Sequence, residues 1–136
     1  MVKPIMRDMM FLSRPSEQAA PADKQVMTDL VDTLNAHLDG CVGMAANMIG
    51  VHKRIIVVRM GPVSVPMANP QIVAQSGGYE AEEGCLSLTG VRRCKRWREI
   101  EVSYLDASFL PRRQRYTGWI AQIIQHEIDH CNGVVI

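Results

Sequence analysis

The sequence predicts an α+β fold, because helical patterns lie towards its two ends and strand patterns lie between them. Apolar residues recur at helical spacing over residues 23–38, and a second helical segment spans residues 118–131. Between them, short runs rich in β-branched residues are separated by glycine, proline and asparagine. Strands grouped in the middle of the chain, with helices at its ends, are typical of this class.

The helices are marked by their apolar spacing and by the residues that follow them. In the first, Val26, Leu30 and Leu34 fall on one face, and Gly40 lies just beyond the end of the pattern. The second stops at an Asn-Gly pair, residues 132–133, which favours a helix end. The segment up to about residue 21 carries three prolines, and we expect it to be irregular.

Five strands are predicted, over residues 54–59, 63–67, 71–75, 99–105 and 113–116. The first of them, RIIVVR, is continuously apolar at its centre and is expected to be buried. A turn at Asn69-Pro70 is expected to separate the second strand from the third. The fourth alternates polar and apolar residues, as a half-buried strand does, and the fifth can pair with it after a turn at Pro111.

Size and composition restrict the class of protein. A chain of 136 residues suits one domain, residues 1–136, and its formal net charge of +1 does not favour binding to DNA. It holds no apolar run of the ~20 residues that a membrane helix needs, and its first residues lack the apolar core of a signal peptide. We therefore expect a cytoplasmic protein without a membrane partner, whose four cysteines serve as thiols or metal ligands.

The chemistry is indicated by an HExxH motif in the last helix. His126 and His130 lie four residues apart, one turn along the same helix face, so both can bind one metal ion. Glu127 adjoins this face and can reach a water molecule at the metal. The motif therefore predicts a metal centre with a carboxylate base.

The third metal ligand must come from upstream of the motif. Six residues follow His130, and none of them is an acid or a histidine. The best upstream candidate is Cys85, within residues 82–87 (EEGCLS). One thiolate and two imidazoles leave the fourth position of a tetrahedral metal open for water, which is the arrangement of a catalytic site.

Three motifs together resemble those of the peptide deformylase family. Residues 83–87 (EGCLS) resemble the family's EGCLS motif, and residues 125–130 (QHEIDH) resemble QHExDH. Residues 42–50 (VGMAANMIG) are similar to the family's first motif, GxGLAAxQxG, and the order and spacing agree. The resemblance extends from about residue 23 and implies the family's fold, in which antiparallel β-sheets pack around a C-terminal metal-binding HExxH helix.

The resemblance also implies a function. The protein would be a bacterial metal-dependent hydrolase that removes the N-formyl group from the N-terminal formylmethionine of nascent polypeptides. It would contact the ribosome transiently. Cys85, His126 and His130 would hold one divalent metal ion, Fe²⁺ in the family, with Ni²⁺, Co²⁺ or Zn²⁺ able to substitute. Glu127 would transfer the proton. The backbone N–H of Leu86 would stabilise the oxyanion.

Eight residues are expected to contact the substrate: Val42, Gly43, Met48, Glu83, Gly84, Arg92, Gln122 and Ile123. Gln122 is expected to make the pocket for the methionine side chain more polar, and Trp119 to narrow it. Glu83 is expected to accept hydrogen bonds from nearby backbone, and Cys41 to be a small buried residue. Asp129 is expected to pair with one of three arginines: Arg92, Arg93 or Arg96.

Met48 stands where the family has a glutamine that donates a side-chain N–H to the oxyanion. A thioether has no proton to donate, and losing such a donor costs about 10²–10³ in rate. Asn47 carries an amide, but its offset of one residue is expected to direct it elsewhere. We therefore expect a slowed deformylase. The alternatives are a hydrolase of another formyl or acyl amide, or a non-catalytic module that binds N-terminal peptides.

Overall fold

The computed structural model describes residues 1–85 and 88–134, and for residues 85, 88 and 89 it describes the backbone alone. Within these ranges the helices are α1 (Met9–Leu12), α2 (Lys24–Asn35) and α3 (Gly118–Cys131). The strands are β1 (Gly43–Ala45), β2 (Ile55–Met60), β3 (Val63–Cys85), β4 (Leu88–Leu105) and β5 (Pro111–Thr117). Short 3-10 turns occupy Pro21–Asp23 and Ala46–Ile49. No helix in these ranges is both long enough and apolar enough to cross a membrane.

The strands form one antiparallel sheet in the order β1-β2-β3-β4-β5, so that each strand pairs with its neighbour in the chain. The centre of the sheet is the β3–β4 pairing, whose register places Gly78 opposite Trp97 and Glu83 opposite Arg92. The predicted α+β class is confirmed.

Strand β2 lies between two helices. Ile56 and Val58 belong to the hydrophobic cluster that includes residues of α3, whereas Ile55 and Val57 belong to the cluster that includes residues of α2. Successive side chains of a strand point to opposite faces, so a strand covered on both faces is continuously apolar. This explains the RIIVVR run, and it sets α3 firmly against the sheet.

The predicted turn at Asn69-Pro70 is wrong, because β3 continues through it. The pairing with β4 shifts register between Ala68 and Gln71, and Asn69 adopts a positive φ of 50°. The Asn69 side chain accepts a hydrogen bond from the Ala19 N–H (2.7 Å) and donates one to the Ala19 carbonyl (3.0 Å). A proline, which has no N–H to donate, is tolerated at such an irregularity. The two turn residues therefore produce a bulge that the N-terminal segment covers.

The N-terminal segment is more ordered than the sequence predicted. Helix α1 lies within it, and the Asp8 carboxylate caps this helix by accepting from the Met10 N–H at 2.9 Å. The segment also contacts the elements that carry the first and the last of the three motifs. The Met6 N–H donates to the Met48 carbonyl (2.7 Å), and the Ser16 N–H donates to the Cys131 carbonyl (2.8 Å). It therefore links the 3-10 turn Ala46–Ile49 to the end of α3.

Candidate metal centre and active-site cleft

Helix α3 brings two imidazole rings together inside the protein. The Nε2 atoms of His126 and His130 lie 3.2 Å apart, and both residues are buried. Two nitrogens bound at 2.0–2.1 Å to one tetrahedral metal would be separated by roughly 3.3 Å. The two rings are therefore spaced as ligands of a single metal ion.

Glu83 holds the ring of His126 from the other side. The Nδ1 of His126 lies 2.6 Å from Oε1 of Glu83, which directs Nε2 towards His130. Burial by itself raises the pKa of the Glu83 carboxyl, but the hydrogen bonds from His126, Arg96 and Gln122 outweigh burial and hold that pKa well below its ordinary value. Glu83 is therefore an ionised group that orients a ring. Among the described residues its hydrogen-bond partners are the side chains of Arg96, Gln122 and His126, whereas the sequence predicted backbone partners.

Arg96 is the hub of this network and is almost fully buried. Its Nε and Nη2 donate to Oε2 and Oε1 of Glu83 at 2.9 and 2.7 Å, and its Nη1 donates to Oδ2 of Asp129 at 2.7 Å. The prediction that Asp129 pairs with an arginine is confirmed, with Arg96 as the partner. The role of Arg96 as the bidentate partner of Glu83 was missed, because it follows only from the pairing of β3 with β4.

Glu127 is a buried carboxyl group beside the two rings. Its side chain is enclosed, and Oε1 has no hydrogen-bond partner among the described residues. Burial raises the pKa of Glu127 to about 7. A carboxyl group with such a pKa can both accept and release a proton near neutral pH, which suits a general base that later acts as an acid.

His130 is expected to be neutral in this environment. Burial lowers the pKa of its imidazole to about 3, and its Nδ1 has no hydrogen-bond partner in the part of the chain that the structure describes. A neutral imidazole is the form that binds a metal ion. The described residues of the motif therefore fit a metal in both geometry and protonation.

The glycine of the first motif is required by close packing. A Cβ atom at Gly43 would lie 2.6 Å from Cγ2 of Ile123 and 3.1 Å from Oε2 of Glu127. Strand β1 thus passes directly over α3, next to the base.

A cleft of about 700 Å³ opens beside these groups, and both His126 and Glu127 line it. Seven of the eight residues predicted to contact substrate also line it: Val42, Gly43, Met48, Glu83, Gly84, Gln122 and Ile123. Arg92 is not among its described lining residues. Cys41 is half-buried and lines the cleft, so its expected burial is wrong. Five further lining residues were not predicted: Leu38, Asp39, Gly40, Glu82 and Gly90.

Met48 lies in the cleft wall as a buried thioether. Its Sδ accepts a hydrogen bond from the N–H of Ala45 at 3.4 Å, the last residue of β1 and the one that precedes the 3-10 turn. The neighbouring Asn47 is turned away, since its Nδ2 donates to the carbonyls of His130 (3.0 Å) and Leu12 (3.5 Å). The prediction that the Asn47 amide does not replace the missing glutamine is therefore confirmed.

Two predicted site residues fall at the edge of the described structure. The backbone of Cys85 ends β3, where it pairs with Leu88, and its side chain is outside the described part. Leu86 lies outside the described residues altogether. The roles of Cys85 as third ligand and of Leu86 as oxyanion donor stay predictions.

Two convergent imidazoles and a glutamate on one buried helix, with His126 and Glu127 lining a cleft, define a metal-dependent hydrolase of the HExxH class. The family model described as polypeptide deformylase matches residues 4–136. The chain belongs to the peptide deformylase family, whose members are metalloenzymes, and the predicted enzyme class is confirmed.

Individual relatives agree with this assignment. The peptide deformylase of Clostridium beijerinckii is 53% identical over 136 residues, which is the full length of both chains. The crystal structure of the Ehrlichia chaffeensis peptide deformylase superposes with a TM-score of 0.87 at 32% identity, covering 99% of this chain and 86% of the other. A class I type b peptide deformylase from Acinetobacter baumannii, solved with Met-Ala-Ser bound, gives 0.88 at 26% identity, covering 99% and 97%. These relatives favour a deformylase over the two alternative functions.

Proposed function

We propose that this chain acts as one domain, residues 1–136, and hydrolyses the N-formyl amide of N-terminal formylmethionine, with one divalent metal ion held by Cys85, His126 and His130. The observation that carries the proposal is the 3.2 Å separation of the two histidine Nε2 atoms in a cleft that Glu127 also lines. The donor set fits Fe²⁺, our proposed native metal, and also Ni²⁺, Co²⁺ or Zn²⁺. When bound, the metal supplies Lewis-acid activation of water and of the formyl carbonyl.

Glu127 is proposed to move the proton in this reaction. It takes a proton from the attacking water as the oxygen of that water bonds to the formyl carbon, and it delivers the proton to the leaving nitrogen as the C–N bond breaks. The products are formate and a free α-amino group. Support comes from the burial of Glu127 and from its pKa of about 7, which suits both halves of the transfer.

The oxyanion of the tetrahedral intermediate is proposed to accept a hydrogen bond from the backbone N–H of Leu86. Met48 lines the cleft but cannot add a second donor, since its thioether carries no proton. The missing donor is expected to lower the rate by about 10²–10³, which leaves a working but slow enzyme.

The substrate is proposed to be the N-formylmethionyl end of a nascent chain. The relative that holds Met-Ala-Ser supports this, because that tripeptide has the form of a deformylated product. Here Val42, Gly43, Gly84, Gln122 and Ile123 line the cleft and are proposed substrate contacts. Arg92 is proposed to contact the peptide further along the chain. We propose that the enzyme meets this substrate in the cytoplasm, in transient contact with the ribosome.

The test is release of formate from formyl-Met-Ala-Ser by protein loaded with Fe²⁺ under anaerobic conditions. Glu127→Gln keeps the size of the side chain, removes the base and is expected to abolish turnover. Glu80→Gln, at an exposed position of β3, is the matched control and is expected to retain it. Absence of formate from the fully metallated wild type would refute the proposed function.

A further inference from the structure

Gln122 is a polar residue in the wall of the cleft, one turn of α3 before His126. Its Nε2 donates to Oε2 of Glu83 at 2.8 Å, and its Oε1 accepts from the hydroxyl of Tyr79 at 3.3 Å. The ring of Tyr79 is in turn covered by the Arg98 guanidinium, 4.9 Å from the ring centroid. The amide is therefore held at both ends, and its orientation is defined.

One N–H of this amide has no acceptor within the described part of the chain. A primary amide carries two N–H groups, and the bond to Glu83 uses one of them. Gln122 is half-buried and lines the cleft together with Trp119 and Ile123. A ligand side chain in this part of the cleft thus meets a fixed N–H donor beside two apolar side chains, those of Trp119 and Ile123.

We infer that Gln122 is a specificity-determining residue whose second amide N–H donates to the thioether sulfur of the substrate methionine. The inference rests on the proposed function and names the side-chain selectivity of that site. Sulfur in a thioether is a weak acceptor, whereas a methylene group accepts no hydrogen bond. In the open cleft, water satisfies the N–H; a sulfur atom that displaces the water restores a bond, and a methylene leaves the donor unpaired. The site therefore distinguishes methionine from norleucine, which has the same length with CH₂ in place of sulfur.

The test compares kcat/KM for formyl-Met-Ala-Ser and formyl-norleucyl-Ala-Ser. One neutral hydrogen bond predicts a preference of about threefold to tenfold for methionine in the wild type. Gln122→Met keeps a side chain of similar length without the amide, and the ratio is expected to fall to about one. This variant also loses the hydrogen bond to Glu83. That loss is expected to lower kcat/KM for both substrates by the same factor, so it cancels in their ratio.

Trp119→Leu is the matched control, because Trp119 lines the same cleft but is 61% exposed and is not one of the hydrogen-bond partners described for Glu83. It is expected to change both rates while the ratio between them is kept. Calorimetric binding of Met-Ala-Ser and norleucyl-Ala-Ser to the metal-loaded proteins provides a measurement independent of turnover, with the same expected ratios.

Equal kcat/KM for the two substrates in the wild type would overturn the inference and leave the proposed function intact. A preference that persists in Gln122→Met would overturn it as well. Formate release from neither substrate would instead refute the proposed function. If Gln122→Met does not fold, the wild-type ratio together with Trp119→Leu still decides the matter.

Discussion

Replacing Arg96 with methionine removes the cation that neutralises a buried carboxylate. Arg96 is 3% exposed and Glu83 is 8% exposed, and two hydrogen bonds of 2.7 and 2.9 Å join them. In Arg96→Met the Glu83 carboxylate loses both of these hydrogen bonds and keeps its bonds with the neutral Gln122 amide and with the His126 ring. Removal of one partner of such a buried pair costs about 3–5 kcal/mol, because a charge is left uncompensated.

A surface ion pair of the same hairpin provides the control. Arg93 lies 3.7 Å from Glu82, and both side chains are more than two-thirds exposed, at 72% and 68%. Arg93→Met is therefore expected to cost less than about 1 kcal/mol. Arg96→Met combined with Glu83→Gln is expected to recover part of the loss, since a neutral amide needs no counter-charge.

Urea unfolding of the metal-free proteins, followed by circular dichroism, measures these free energies without a contribution from metal binding. The free energy of unfolding is expected to fall in the order wild type, Arg93→Met, the double variant and Arg96→Met. If Arg96→Met costs no more than Arg93→Met, the reasoning that Arg96 compensates a buried charge is wrong.

Three further predictions concern other parts of the chain. Gly43→Ala places a methyl group 2.6 Å from Ile123, so we expect a loss of about 1–3 kcal/mol in unfolding experiments and reduced formate release. Met48→Gln restores an oxyanion donor, and kcat is expected to rise by about 10²; an unchanged kcat would show that Met48 does not limit the rate. The hydrogen bond from Arg112 lowers the pKa of Asp106 in the folded protein. The pair therefore stabilises the fold fully at pH values above the ordinary pKa of an aspartate, and this stabilisation is lost as the pH falls through the lowered pKa. Arg112→Gln should raise the pKa of Asp106 in an NMR titration, and an unchanged value would contradict the pairing.

Local sequence patterns predicted the elements whose burial follows a regular pattern along the chain. Strand β2 was recognisable because two helices cover it, which makes the run apolar throughout. Helix α3 was predicted over the residues that it occupies, Gly118–Cys131. Local patterns failed for the β3–β4 hairpin, since its half-exposed strands carry charged residues and their pairing follows from contacts distant in the chain. At Asn69 the turn propensity was real, but the N-terminal segment converts it into a bulge.

The sequence by itself determined the reactive group of this protein. Four residues make about one helical turn, so the spacing of His126 and His130 already places two imidazoles on one face, with Glu127 beside them. The tertiary structure alone decided what surrounds these groups. The antiparallel register of β3 and β4 brings Arg96 to Glu83, 13 residues away, and the packing of α3 against that hairpin brings Glu83 to His126. Burial raises the pKa of Glu127, and hydrogen bonds lower the pKa of Glu83. Both shifts depend on neighbours that no local sequence pattern specifies.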